Sequence, residues 1–178
     1  MRRRLLIIIA LLVIVLTIFI VSGCGSLSKA KSDTDEKFKK MSSQLTSRYE
    51  KLNDAIELAV SIGGERDVTN DGLKYYKQYS ESIKNKDTKK QLEAASELEN
   101  IIGRLRANSV SSIKLSGSQE LKDAIMAIDD STIAKDVRDD YKNAAKSYEE
   151  KRTSWRNLLS ATVCGYSPIK TLEFSEAP

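Results

Sequence analysis

Residues 33–59 read DTDEKFKKMSSQLTSRYEKLNDAIELA, and within them Phe38, Met41, Leu45, Tyr49, Leu52, Ile56 and Ala59 recur at steps of three and four. That spacing keeps the apolar side chains on one face of an α-helix, whereas a half-buried strand would repeat every second residue. Asp33, Asp35 and Glu36 at the start favour the positive end of the helix dipole, and Gly63-Gly64 closes the pattern. The stretch therefore predicts a long amphipathic helix, and its stripe needs partners.

Downstream the partners follow. Leu73, Tyr76, Tyr79 and Ile83 form a second stripe, and Leu92, Ala95, Leu98, Ile102 and Leu105 a third. Residues 108–118 are rich in Ser and Gly and read as a loop. Leu121, Ala124, Ile125 and Ile128 start a further segment. Ile133, Val137, Tyr141, Ala144, Tyr148, Arg152, Trp155 and Leu159 then continue the helical rhythm, with Asp129, Asp130 and Ser131 bending the two apart or capping the second. Arg152 interrupts the series, but its aliphatic stem can lie along apolar surface. Clustered Tyr75, Tyr76 and Tyr79 read as packing residues before they read as a stacking platform. Residues 67–72 carry Asp67, Asp71 and Gly72 at the spacing of a calcium loop, but Thr69 and Gln78 stand at two further ligand positions, so the segment reads as a turn before a helix. The expectation is an all-α, elongated antiparallel bundle of three to four long helices.

Upstream, residues 5–21 form an apolar run whose sole polar member is Thr17, preceded by Arg2, Arg3 and Arg4. At ~1.5 Å per residue this run covers about 26 Å, slightly less than the ~30 Å of a bilayer's hydrocarbon layer. A helix apolar all round has no polar face to show to water, so the run reads as a membrane anchor. The positive flank precedes it and the following residues 22–27 are uncharged, which places the remainder of the chain outside the cytoplasm. The run ends at Val21-Ser22-Gly23-Cys24, which resembles the lipobox of bacterial lipoproteins and makes Cys24 the candidate lipid attachment site. An uncleaved anchor helix is the alternative, since the run exceeds the ~7–15 residues of a typical signal core. A disulfide from Cys24 to Cys164 ranks below lipidation, because it demands Cα atoms within ~7 Å at positions far apart in sequence. These features divide the chain into a signal or anchor (1–24), a flexible Ser- and Lys-rich tether (25–32), a helical bundle (33–166) and a C-terminal tail (167–178).

Several function classes are excluded by composition. The formal charge is +4, but without Arg2, Arg3 and Arg4 the remainder has 26 basic against 25 acidic residues, too balanced for a phosphate-binding field. No nucleic acid is expected. The chain has no His, and two Cys do not make a structural zinc site, so no metal ligands and no cofactor are assigned. Ser-x-x-Lys begins at Ser26, Ser28, Ser111 and Ser167, with no supporting hydrolase motif beside it. No catalytic residue is assigned, and the chain is read as not an enzyme.

The chain resembles the LemA family of membrane-anchored helical proteins over nearly its whole length. Gln44-Leu45-Thr46-Ser47-Arg48-Tyr49-Glu50, followed by Ile56-Glu57, is similar to the family's stretch of Leu, basic and acidic residues leading into an apolar run. Ile101-Ile102-Gly103-Arg104-Leu105 is similar to its Ala-Leu-Gly-Arg-Leu segment. Tyr141, Tyr148 and Trp155, seven apart, fall where the family has two Tyr-Asn pairs and a Phe-Pro pair, and Gly165-Tyr166-Ser167-Pro168 stands at its Gly-Phe tail. Lys142, Glu149, Arg156 and Asn53 depart from the pattern. The resemblance implies a divergent member with an N-terminal anchor and a helical bundle, and brings no settled enzymatic activity. The expected role is an interaction or scaffold module of the cell envelope, contacting another envelope protein or itself through a surface near Tyr148, Trp155 and Tyr166. An envelope lipoprotein holding a lipid or small molecule between its helices is the alternative.

Overall fold

The computed structural model describes residues 2–131, 133–169, 171, 172 and 174, with side chains from residue 6 onward. Among them there are seven helices and no strand: α1 (Arg2–Ser61), α2 (Arg66–Lys84), α3 (Thr88–Ser111), α4 (Ile113–Ser116), α5 (Gln119–Asp130), α6 (Lys135–Thr153) and α7 (Leu158–Val163). The all-α expectation holds. The helices form two compact units, one of residues 39–138 with 171–178, the other of residues 1–38 with 139–170.

In the first unit, α1 from residue 39, α2, α3 and α5 pack as four helices. All seven apolar positions of the deciding stripe are buried, Phe38 belonging to the other unit. Tyr49 meets Tyr79 edge-on with ring centroids 4.9 Å apart, and its hydroxyl donates to the Ala95 carbonyl at 3.2 Å. Burial, and then the nearby Glu99 charge, hold the Tyr49 phenol well above its ordinary pKa. Leu98, Ile101, Ile102 and Leu105 bring α3 into the same core, and Leu121 and Ile128 bring α5. Tyr49 meets Tyr79 while Ile56 lies by Gly72, Tyr79 meets Gln91 while Asp71 meets Arg104, and Arg48 meets the Ile128 carbonyl while Lys51 meets that of Ala127, so α2 is antiparallel to both α1 and α3, and α5 is antiparallel to α1.

One ion pair is sealed inside this unit. Arg48 donates from Nε and Nη2 to both oxygens of Glu99 at 2.9 and 3.1 Å, and from Nη1 to the Ile128 carbonyl at 2.7 Å. With Arg48 4% and Glu99 2% exposed, a single forked contact joins α1, α3 and the end of α5.

Two local readings differ from the structure. Residues 67–72 are the first turns of α2 rather than a turn before it, because Gly72 lets that helix lie against Ile56 and Ile101, where a Cβ would meet both side chains. Residues 108–118 are largely helical, ending α3 and forming α4, with Ser118 then capping α5 through a hydrogen bond from the Leu121 amide at 3.2 Å.

Helix ends explain where the chain turns. After α1 the Gly63 amide bonds to the Val60 carbonyl and the Gly64 amide to that of Ala59, with Gly63 at φ +82°. The same closure follows α7, where Gly165 at φ +70° is followed by a Tyr166 amide bonded to the Ala161 carbonyl. Both are left-handed caps that glycine adopts without a Cβ penalty. After α2 the same left-handed position is held by Lys86 at φ 54°, a residue with no such freedom.

The second unit is thinner, a pair formed by α1 up to residue 38 and by α6 from residue 139, with α7 at one end. Phe38 packs on Tyr141 with centroids 5.6 Å apart, Lys37 bonds Asp140 at 3.1 Å, and further back along α1 Cys24 meets Cys164 further on in the chain, so the two stretches run antiparallel. Residues 25–32, expected to be a flexible tether, are continuous helix within α1. Leu27, Ala30 and Thr34 are buried there, and with Phe38 they extend the apolar face at steps of three and four.

Candidate functional site

Antiparallel pairing fixes what reaches the end of the apolar run. Counting equal rises back from Phe38 and Tyr141 brings Thr153 level with residue 26, so the α6–α7 turn arrives beside residues 22–24. The turn forms because side chains there compete for backbone carbonyls: Thr153 Oγ1 donates to the Glu149 carbonyl at 2.7 Å, Ser154 Oγ to that of Lys151 at 2.8 Å, and Asn157 Nδ2 also to Lys151 at 3.1 Å. The long final helix expected through Leu159 therefore stops at Thr153, and α7 starts afresh at Leu158.

Helix α7 crosses α1 at Gly23. A Cβ built on Gly23 would fall 2.7 Å from Ser160 Cβ and 3.1 Å from Asn157 Oδ1, so the two backbones meet where no side chain fits. Ser160 is fully buried and Ala161 nearly so, and the Ser160 hydroxyl has no hydrogen-bond partner. One residue further along α1, Cys24 is disulfide-bonded to Cys164, with Cα atoms 6.2 Å apart. Cys24, the residue expected to carry a lipid, is paired with Cys164 here. A thioether to a lipid and a disulfide are alternative fates of one sulfur, and here the fold brings Cys164 to it across 140 residues.

Of the three residues assigned to an interaction surface, the structure leaves one exposed. Tyr148 is fully buried, its hydroxyl donating to the Ser167 carbonyl at 2.8 Å, and burial raises its phenol pKa. Tyr166 is half-buried and donates to the Cys24 carbonyl at 3.3 Å. Trp155 is 76% exposed, with the Arg156 guanidinium 5.4 Å from its ring centroid. The first two pin the returning tail: Ser167 receives Tyr148, and the Ile169 amide bonds Glu149 Oε1 at 2.6 Å. The tail after residue 174 lies outside the described residues.

Sequence reading missed the outward face of α7. Trp155, Leu158, Leu159, Thr162 and Val163 are exposed and stand at intervals 0, 3, 4, 7 and 8, while Ser160 and Ala161 are buried and Asn157 is half-buried. The helix is amphipathic in reverse, small and polar inward, large and apolar outward. The apolar part of α1 shares this exposure, with large side chains from Leu6 to Val21 mostly half or more in the open. Among the described residues α1 is one helix long and apolar enough to cross a membrane.

Chemically this end of the chain offers binding surface rather than reactive groups. Both sulfurs are in the disulfide, and among the described residues no three His, Cys, Asp or Glu side chains gather where a metal ion would sit. No family model, curated protein or solved structure matches the chain.

Proposed function

We propose that this chain is a membrane-anchored, extracytoplasmic helical-bundle protein of the LemA type that serves the cell envelope as an interaction or scaffold module without catalysis. The observation that carries the reading is the exposed apolar length of α1 between Leu6 and Val21, which continues without a break into the helix that carries the bundle's main stripe. Side chains such as Leu12 at 65% exposed are costly in water and at home among acyl chains. The Arg residues at positions 2–4 support a cytoplasmic start, and the Cys24–Cys164 bond supports an oxidising compartment for the rest. Both point the same way. Exposed Val110 near the end of α3 and Ile113 at the start of α4 support a contact surface on the four-helix unit.

The test is fractionation and intact mass of the membrane-extracted protein. The expected result is resistance to alkaline extraction, protease access to a C-terminal tag from the outer face, and a full-length mass lighter by two hydrogens than the reduced chain. A mass starting at Cys24 with diacylglycerol attached would replace the helix anchor by a lipid one, and recovery from the cytosol would sink the reading.

A further inference from the structure

Helix α7 carries its large apolar side chains on the wrong side for a protein in water. Asn157 and Ser160 lie against Gly23 with Ala161 buried beside them, and the outer side is Leu158, Leu159 and Val163 of the helix with Trp155 of the turn before it, between 55% and 76% exposed. Small residues at a helix contact with large apolar residues turned away is the arrangement helices adopt in lipid, where apolar surface gains nothing by hiding and close backbone approach decides the packing.

The position of α7 along α1 gives this face its occupant. The apolar run of α1 ends at Val21, and α7 crosses at Gly23 and is bonded at Cys24, so its centre stands within about 5 Å of the run's end at ~1.5 Å per residue. The run by itself is some ~4 Å short of the hydrocarbon layer, and an interfacial helix with its apolar face sunk in the headgroup boundary lies at that same depth. Trp155 stands at the tip of the turn, with the indole's preference for membrane interfaces, and exposed Lys151 and Arg156 flank it at a height suited to lipid phosphates. Water on this face would meet a contiguous apolar strip on a helix of six residues.

We infer that α7 is an interfacial membrane helix: its Trp155, Leu158, Leu159 and Val163 face lies in the headgroup boundary of the leaflet from which α1 emerges, clamped to α1 at that depth by the Gly23 contact and the Cys24–Cys164 bond. The inference rests on the membrane reading of α1 given above. Its partner is a phospholipid bilayer surface, and the chain thereby touches the membrane twice, once through it and once along it.

Trp155 is the sole Trp of the chain and so reports its own surroundings. The full-length protein is reconstituted into phosphatidylcholine vesicles, with acyl chains brominated near the headgroup or near the bilayer centre, and separated by flotation. Expected are a blue-shifted emission relative to the same chain unfolded in guanidinium, about twofold or more stronger quenching by shallow than by deep bromines, and weak quenching by acrylamide. Replacing Leu158→Asp and Leu159→Asp together, both outward-facing, is expected to move the emission back to the red with the disulfide intact. A chain that floats with the vesicles yet shows an acrylamide-accessible, unshifted Trp155 overturns this inference alone. A chain that does not float overturns it together with the anchor reading.

Discussion

Around Leu45, Tyr49 and Leu98 the large apolar side chains point inward and are fully buried, while around Gly23 the small residues meet and Trp155, Leu158 and Leu159 face out. Both regions are helices of one chain, so backbone geometry does not distinguish them. The medium does. In water, burying a Leu side chain is worth about 1.5–3 kcal/mol, which drives large residues together in the four-helix unit. At a bilayer that gain vanishes, and contact goes to the residues that let backbones approach. The two regions also differ in how they are held: four helices share one core, whereas the α1–α6 pair has a single layer of contacts and a covalent tie at its end.

The largest expected effect belongs to the four-helix unit. Glu99→Ala removes the carboxylate that neutralises buried Arg48, and is expected to cost about 3–5 kcal/mol, read by circular dichroism melting of the full chain in detergent. If the contrast holds, Trp155 emission will not change below the melt, and a melt as high as the parent's would mean the pair is hydrated. Cys164→Ser tests the other side. Loss of the tie is expected to cost the α1–α6 pair about 2–4 kcal/mol, with faster hydrogen exchange in residues 139–153 and unchanged exchange in α3. Equal acceleration in both units would erase the distinction.

Gly23→Leu sharpens the question of close approach. The new side chain collides with Ser160, and a cost of about 1–3 kcal/mol is expected, seen as increased maleimide access to Cys24 and Cys164 after mild reduction. Tyr148→Phe deletes the bond to the Ser167 carbonyl and is expected to cost about 0.5–1.5 kcal/mol, loosening the tail after Gly165 in hydrogen exchange. The smallest change carries the opposite sign. Lys86→Gly relieves a left-handed residue after α2 and is expected to stabilise the four-helix unit by about 1 kcal/mol in the same melts, with no effect on residues 139–163.

Much of the four-helix unit was legible because burial in water writes its rule into periodicity. The stripe from Phe38 to Ala59 is buried at every position, and Leu92, Leu98, Ile102 and Leu105 likewise. The same rule would have found the helix through residues 25–32, where Leu27, Ala30 and Thr34 continue the stripe, but Ser, Gly and Lys content spoke for a linker. Between Tyr148 and Leu159 the rule misleads: Tyr141, Ala144 and Tyr148 are core, yet Trp155 and Leu159 keep the spacing after the helix has ended and face outward. Spacing reports which residues share a face and is silent on what that face meets. The Arg48–Glu99 pair was out of reach, and the Cys24–Cys164 bond could be named from the sequence but only ranked below lipidation, since each joins positions that only the folded path makes neighbours.

The bond between Cys24 and Cys164 closes the chain into a ring that contains every residue from 39 to 138. A protease that nicks any exposed turn inside that ring severs the polypeptide without shedding anything, because the two pieces stay linked through the disulfide. Release then takes two events, a cut and a reductant, and the order in which they arrive does not matter.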